Sequence, residues 1–476
     1  MNHFFVGAVA LSWVLAVALV GCGEIKKEPV AAKLPNSDPF PSTYVPRQHS
    51  PWAITGVTLL TGTGTRLDGA TVVVIAGKIQ QIGNQVEIPE GTTVIDGKGK
   101  WVTPGLIDVH SHMGVYAAPA TYNNEDGNEM TSPVTAQVWA EHSVWPQDPQ
   151  FEKALAGGVT TLQVLPGSGN LIGGRGVTLK NVPSVTVQGM KFPGAPYSLK
   201  MACGENPKRV YGERMQAPST RMGNMAGFRA AWIDAREYLK KWDDYVKKVA
   251  GSDDKAEAPK RDLKLETLAG VLKGEIRVHN HCYRADEMAQ MIDMAKEFDY
   301  RISAFHHAVE AYKVAPMLAE EGICAVVWAD WWGFKQEAFD MVRENMALVD
   351  FAKACAVIHS DDPIGVQHLN QELAKAMTAG NRLGLNITRE HAVQWATLNA
   401  AKALGIERET GSLEQGKNAD IVLWNGDPFS FYSRAEKVWI DGVQFYDGNA
   451  EGAGDKSLRP TSDFNVGILN PQGDRP

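Results

Sequence analysis

Apolar and polar positions fall into two textures along this chain. From Ala53 to about Lys100 they alternate in short β-branched runs, ITGVTLLTG, TVVVIAGKIQQIG and TTVIDGKGKWVTPG, broken by glycines. A period of two with Gly punctuation predicts sheet. The same texture returns after Ala403, in GSLEQGKNADIVLWNGDP and AEKVWIDGVQFYDG. Between them, over about residues 104–400, short apolar runs alternate with stretches of helical period. The runs are LIDVH, VTTLQVL, YSLKMAC, IRVHNH, RISAFHH, CAVVWAD and AVIHSD; ADEMAQMIDMAKEF and VEAYKVAPMLAEEG are amphipathic helices. Repeated strand–helix units predict parallel strands, and their number predicts a closed (β/α)8 TIM-like barrel. The flanking pieces predict a small β-sandwich domain formed by both chain ends, with an α/β chain overall.

The remaining segments match neither texture. Residues 1–22 hold the apolar run FFVGAVALSWVLAVALVGC, which predicts a secretion signal. Its LVGC end resembles the lipobox of bacterial lipoproteins, which implies cleavage before Cys22 and acylation of that thiol. Asn2 and His3, rather than Lys or Arg, precede the run. The expected location is therefore outside the cytoplasm, in the periplasm or outer envelope, with a lipid anchor in a bacterial membrane. Residues 23–51, rich in Pro, Lys, Ser and Glu, are expected to form a flexible tether. The domain reading is then 52–103 and 403–450 for the sandwich, 104–402 for the barrel and 451–476 for a C-terminal tail. No later apolar run is long enough to span a bilayer.

Composition narrows the function classes. Apolar residues make up 44% and charged residues 21%, with a formal net charge of −8, as in ordinary globular proteins. No basic patch interleaves with aromatics, so nucleic-acid binding is not predicted. Cys203, Cys282, Cys324 and Cys355 form no C-x-x-C pair, which argues against a cysteine-only zinc site.

The histidines carry the chemical signal. Of twelve, eight fall at or beside predicted strand ends: His110, His112, His142, His279, His281, His306, His307 and His359. In a parallel barrel the strand C-terminal ends meet on one face, where active sites form. His110 and His112 share one side of a strand because the side-chain period is two. The spacing puts this pair on the first strand, one histidine each on the fifth and sixth, and Asp361 on the eighth. Imidazoles and a carboxylate converging on one face suit zinc or a similar divalent ion.

TPGLIDVHSH, GVTT, VHNH, HHAVEAY, HSDDP and GSLEQGKNADIVLW together resemble the amidohydrolase superfamily, over about residues 52–447. The resemblance points to its imidazolonepropionase-like and dipeptidase-like branch. It implies that His110 and His112 bind the more buried metal. Its fifth-strand ligand is best matched by His279, with His281 as a group behind it or against substrate. The sixth-strand ligand is matched by His307, with His306 as the alternative, and the proton-shuttling Asp by Asp361, with Asp362 as the alternative. Lys200 matches the carboxylated lysine that bridges two metals, and Glu205 is the other candidate. One or two divalent ions per chain, zinc first, are implied. A metal acidifies its bound water, and Asp361 acts as general base and then acid.

The expected reaction is hydrolysis of a C–N bond in a non-peptide or cyclic amide, or in an N-blocked amino acid or dipeptide. Deamination by the same site and a non-catalytic exported binding barrel are the alternatives. The partner is a small amide, and a homo-oligomer is compatible with the superfamily. Lys208, Arg209, Tyr211 and Arg221 cluster in sequence after the Lys200 strand, and an Arg fork suits a substrate carboxylate; a structural loop or subunit contact is the other reading of them. SGNLIGGRG, residues 168–176, lacks a GK[ST] ending and reads as a flexible loop near the site. VWADWWGF, residues 327–334, reads as core packing, with a pocket wall as its second reading. The charged stretch from Arg236 to Lys264 reads as a solvated helix and loop inserted between units.

Overall fold

The computed structural model describes residues 35, 38–251 and 256–449. The signal segment with Cys22, most of the tether and the C-terminal tail lie outside the described residues. Five strands open the described fold: β1 (Trp52–Leu60), β2 (Arg66–Ile75), β3 (Lys78–Gly83), β4 (Thr93–Asp96) and β5 (Trp101–Pro104). Eight more form the second sheet: β6 (Leu106–Ser111), β7 (Val159–Val164), β8 (Ile172–Lys180), β9 (Ser198–Ala202), β10 (Arg277–Cys282), β11 (Ile302–His307), β12 (Cys324–Val327) and β13 (Cys355–Ile358). The chain then returns through β14 (Ile421–Trp424), β15 (Ala435–Ile440) and β16 (Val443–Asp447).

Both chain ends build one eight-stranded sheet, in the order β16-β15-β14-β5-β1-β2-β3 with β4 beside β1. The seam is the antiparallel pair β5–β14, where Val102 faces Leu423. Alternate residues turn inward, so Ile54, Leu59, Val72, Val74, Leu423 and Trp439 form a core of their own. This matches the period-two reading.

The second sheet runs β6 to β13 in chain order and curls into a nearly closed TIM-like barrel. Its edges meet where the Asp361 amide donates to His110 O at 3.1 Å. One strand departs from the expected all-parallel barrel: β8 is antiparallel to both β7 and β9. Residues 165–171 are too short a link for a parallel crossover, which needs a dozen residues or more, so the chain turns back. The expected flexible loop SGNLIGGRG is thus largely buried strand. Its glycines make room for backbone: a Cβ on Gly174, at φ +121°, would lie 2.3 Å from Val138 O.

Helices α1 (Pro149–Ala156), α2 (Glu205–Gly212), α3 (Arg221–Ala250), α4 (Leu263–Leu272), α5 (Ala285–Phe298), α6 (Ala311–Glu321), α7 (Asn345–Phe351), α8 (Leu369–Arg382), α9 (Arg389–Ala392) and α10 (Leu398–Leu404) fill the connections. In α5, Met288, Met291, Ile292, Ala295 and Phe298 form the buried stripe, as its 3.6-residue period requires. The charged stretch from Arg236 is the second half of α3; it still buries Tyr238 and Trp242 while its charges face solvent. No helix among the described residues is long and apolar enough to cross a membrane.

One correction concerns the tether, and one addition the cysteines. From Asp38 on, the expected tether lies against the body: Asp38 pairs with the buried Lys191 at 2.8 Å, and Ser42 donates to Lys191 O at 2.6 Å. A buried ammonium needs such a partner. All four later cysteines pair, Cys203 with Cys282 and Cys324 with Cys355. The first links the ends of β9 and β10, beside the histidines.

Candidate metal centre

Strand ends deliver every group of the site. β6 carries His110 and leads to His112; β10 carries His279 and His281; β11 carries His306 and His307; the chain leaving β13 carries His359 and Asp361. His306 and His307 are neighbours and on a regular strand would point apart. The left-handed turn at His307 (φ +67°) and Ala308 (φ +36°) ends the strand and brings both rings into the centre. Asp361 also sits at φ +57°. Backbone held in this sparsely populated region marks a constrained site.

Asp108 secures the floor. Its carboxylate accepts from the Ser360 hydroxyl, from the Ser360 amide at 3.3 Å and from the His110 amide at 3.2 Å. It thereby joins β6 to the end of β13. Burial pushes its carboxyl up to about 7, against the pull of those hydrogen bonds.

Three layers of imidazole follow. His306 lies innermost: its Nδ1 is 2.8 Å from His110 Nδ1 and its Nε2 is 2.8 Å from His279 Nδ1. Both of its nitrogens are used, so it has none to give an ion. The next layer gathers His110, His307 and His359, whose nitrogens lie within 4.8 Å of one another, and the same holds for His110, His112 and Asp361. Asp361 Oδ1 is 3.3 Å from His110 Nε2 and 3.2 Å from His112 Nε2; Oδ2 is 3.8 Å from His307 Nδ1. His281 completes the centre, with its ring 4.6 Å from that of His307.

The donor chemistry fits a divalent cation. His110 Nε2, His307 Nδ1 and both nitrogens of His281 and His359 are buried without a hydrogen-bond partner among the described residues. Buried polar atoms are almost always paired. His112 is sharper still. Its Nδ1 faces Leu165 O at 2.8 Å and must donate to that carbonyl. Its Nε2 is then the nitrogen turned to the carboxylate, and positive charge, a proton or a metal ion, must stand between the two atoms 3.2 Å apart.

Burial also keeps the rings uncharged. It holds His110, His281, His306 and His307 well below the ordinary imidazole range, with Lys200 and neighbouring rings adding to the effect. His279 and His359 are lowered to about 3, again mainly by burial. Neutral imidazole is the ligating form. Burial would raise Asp361, but His112, His359 and Lys200 hold it below the usual carboxylate range. Lys200, on β9 opposite His279, is fully buried and donates to Pro166 O at 3.0 Å. Burial lowers its ammonium to about 7.

The other sequence-derived residues lie elsewhere. Glu205 opens α2, partly exposed, with Lys335 4.0 Å away. Asp362 caps its own turn through the Ile364 and Gly365 amides. Tyr211 is buried and donates to Ser132 O at 2.6 Å. Arg221 is taken up by Glu337 and, at 3.2 Å, by Glu287. Lys208 is half-buried and Arg209 exposed on α2, so the expected loop after β9 is a helix. His142 stacks on Trp139.

Sequence reading gave His359 no role, although its place two residues before Asp361 was a usable signal. It also left Trp328 undecided and passed over Tyr283 and Lys335. Trp328 lies flat on His307 at 4.4 Å and donates to Ser360 O at 3.0 Å, so part of VWADWWGF walls the centre.

Known proteins place the chain. Residues 346–450 match the sequence profile of the Amidohydrolase family. Amidohydrolase tasK of Hapsidospora irregularis is 32% identical over 395 residues, covering 79% of this chain and 40% of that protein. The chain therefore spans about two fifths of that relative's length. The imidazolonepropionase of Shewanella oneidensis is 28% identical over 391 residues, covering 75% of this chain and 86% of its own. A solved structure, an amidohydrolase from Thermotoga maritima MSB8, superposes with a TM-score of 0.74 at 37% identity, covering 82% of this chain and 98% of that one. With a relative matched at that identity over nearly its whole length, and histidines at the strand ends of a shared barrel, the chain belongs to the amidohydrolase family of hydrolases acting on carbon–nitrogen bonds.

Proposed function

We propose that this chain hydrolyses the C–N bond of a non-peptide or cyclic amide, or of an N-blocked amino acid or dipeptide, with one or two divalent ions, zinc first, held at the histidine centre. One observation carries the reading: His112 Nε2 and the Asp361 carboxylate face each other at 3.2 Å, with the unpartnered nitrogens of His110 and His307 around them. His110, His112, His307, His359 and Asp361 are the residues we assign to hold the ion, with His281 beside them. When bound, such an ion acidifies water and polarises a carbonyl.

The chain's own groups do the rest. Asp361 takes the proton of the attacking water at a carboxylate oxygen and hands it to the leaving nitrogen. His306 fixes His110 from behind. Trp328 and Tyr283 cover His307 and keep solvent from one side. Lys200 is the better candidate than Glu205 to bridge two ions, because it is fully buried opposite His279 while Glu205 is partly exposed at the start of α2. We also place the protein outside the cytoplasm, anchored through Cys22; two disulfides support an oxidising compartment.

Elemental analysis of the purified protein tests the centre, beside Asp361→Asn and the double variant His110→Ala/His112→Ala. Amine or ammonia release from a panel of N-acyl amino acids, dipeptides, cyclic amides and aminated rings tests the reaction. One or two ions per chain, lost in the double variant, and amine release abolished by chelation are expected. A chain that stays metal-free after reconstitution sinks the mechanism, and ammonia release alone would make it a deaminase.

A further inference from the structure

A cation and an aromatic wall stand at the mouth of the centre, and the hydrolytic step leaves the cation and the outer rings, Trp331 and Phe334, unused. The segment after β12 supplies most of both. Trp328 lies on His307; Trp331 lies on Trp328 at 5.4 Å and an interplanar angle of 18°; Phe334 meets Trp328 edge-on at 5.7 Å. Tyr283, after β10, stacks on His307 from a second direction at 5.3 Å. Exposure rises along this series: Trp328 is 4% exposed, Trp331 38% and Phe334 55%. The rings thus form a continuous apolar path from the imidazoles to solvent.

Lys335 ends that path. Its ammonium sits 4.0 Å from the Tyr283 ring centre and 5.7 Å from that of Phe334. Asn206 Oδ1, at 3.0 Å, is its only hydrogen-bond acceptor among the described residues. Glu205 stands off at 4.0 Å, too far for a hydrogen bond. Of the three donors of an ammonium, two are left for another acceptor. The side chain is 21% exposed, so it is largely enclosed yet open to solvent. The Tyr283 ring under it also meets His307 and, at 4.7 Å, His281, which sets Lys335 one ring away from the imidazoles. Burial lowers its ammonium to about 8, with a smaller push from Arg209, against the upward pull of Glu205, Glu337 and Asp361.

We infer that Lys335 anchors a carboxylate of the substrate while Trp331, Phe334 and Tyr283 hold an aromatic or large apolar group beside it. Resting on the proposed hydrolytic reading, this names the substrate class: an N-acylated aromatic amino acid, or a dipeptide with an aromatic residue and a free carboxylate. Tyr211 and Arg221, tied to their own partners, cannot serve as the anchor.

Binding of unreactive probes to the full-length protein tests this without turnover. Tryptophan fluorescence would follow titration with 3-phenylpropanoate, 3-phenylpropan-1-ol and butanoate. The aromatic acid is expected to bind about tenfold tighter than the alcohol, the worth of one charge-assisted contact. Lys335→Met should erase that difference and leave the alcohol unchanged, and Lys335→Arg should restore most of it. Trp331→Ala should weaken the acid and the alcohol alike. Equal binding of acid and alcohol, butanoate binding as tightly as the aromatic acid, no binding at all, or acid binding untouched in Lys335→Met would each overturn the inference. If the probes behave as stated but no amide is cleaved, the hydrolytic reading fails and the recognition site stands.

Discussion

The Nδ1 atoms of His306 and His110 lie 2.8 Å apart in the buried floor of the histidine centre. One proton must lie between them. If His110 presents its Nε2 lone pair to the centre, its Nδ1 carries the proton and donates to His306. The neutral His306 then carries its own proton on Nε2 and donates to His279 Nδ1, also 2.8 Å away. His279 is thereby left with a proton on Nε2 and no lone pair for an ion. His110 and His279 cannot both ligate through Nε2 unless His306 gives up its last proton.

This proton count separates two histidines on one strand. His279→Asn should keep the parental metal content, whereas His281→Asn should lower it. His306→Phe should weaken metal binding by about 10- to 100-fold through its two partners, with His306→Gln milder because an amide can both donate and accept. Metal titration of the four proteins, each checked for native far-UV circular dichroism, reads this out. Metal lost from His279→Asn and retained in His281→Asn would reverse the assignment.

Asp361 belongs to the reaction more than to the fold. Its side chain is 23% exposed, and only imidazoles face its carboxylate within ion-pair distance. Asp361→Asn keeps the shape and removes the proton acceptor. The turnover number on any amide the protein cleaves should fall by about 10²- to 10⁴-fold, with KM changed much less and the unfolding midpoint close to the parent's. A turnover number within a few-fold of the parent would remove Asp361 from the proton path.

Periodicity and strand-end counting made most of this architecture legible. LIDVH, IRVHNH and RISAFHH fall on β6, β10 and β11, and the histidines arrive on the first, fifth and sixth barrel strands because strand–helix steps have a narrow range of lengths. What stayed hidden depends on contacts rather than pattern. IGGRGVTLK holds three glycines and its first five residues read as loop, yet it is strand because residues 134–139 pack on its backbone. The different fates of His306 and His307 turn on two left-handed residues, His307 and Ala308, which no alternation rule reports. Lys335 follows Phe334 in an aromatic stretch, and nothing in the local sequence says that it reaches Tyr283. The partners of Arg221, Glu287 and Glu337, come from distant segments, so its pairing could not be read locally either.

Lys180 fastens the barrel to the terminal sheet. It ends β8 with its side chain 2% exposed, 2.9 Å from Asp441 and 3.7 Å from Asp420. Tyr44 donates to the same Asp441 at 2.6 Å. Lys180→Met would leave two buried carboxylates facing each other. The expected loss is about 3–5 kcal/mol of stability, measured by urea unfolding. Metal content of the folded fraction should not change, because no imidazole touches this cluster among the described residues. A triple replacement of Lys180, Asp420 and Asp441 by apolar residues should recover much of the loss.

A last prediction concerns pH. His391 on α9 lies 2.8 Å from Asp350 on α7, which also accepts from the Trp395 indole at 3.1 Å. The hydrogen bond and charge of Asp350 raise the imidazole above its ordinary value, against its burial and the nearby Lys353 ammonium; Glu390 adds a smaller push upward. Since the folded pKa exceeds the unfolded one, the contribution is fully present below about pH 6.5. It is lost as pH rises through the raised folded value. With the imidazole 44% exposed, solvent screening limits it to about 0.5 kcal/mol. Urea midpoints of the parent and His391→Gln should therefore differ most near pH 5.5 and converge above about pH 8, with m-values unchanged. A gap that widens with rising pH would mean that Asp350 holds the neutral ring, and that the clasp between α7 and α9 is an uncharged hydrogen bond.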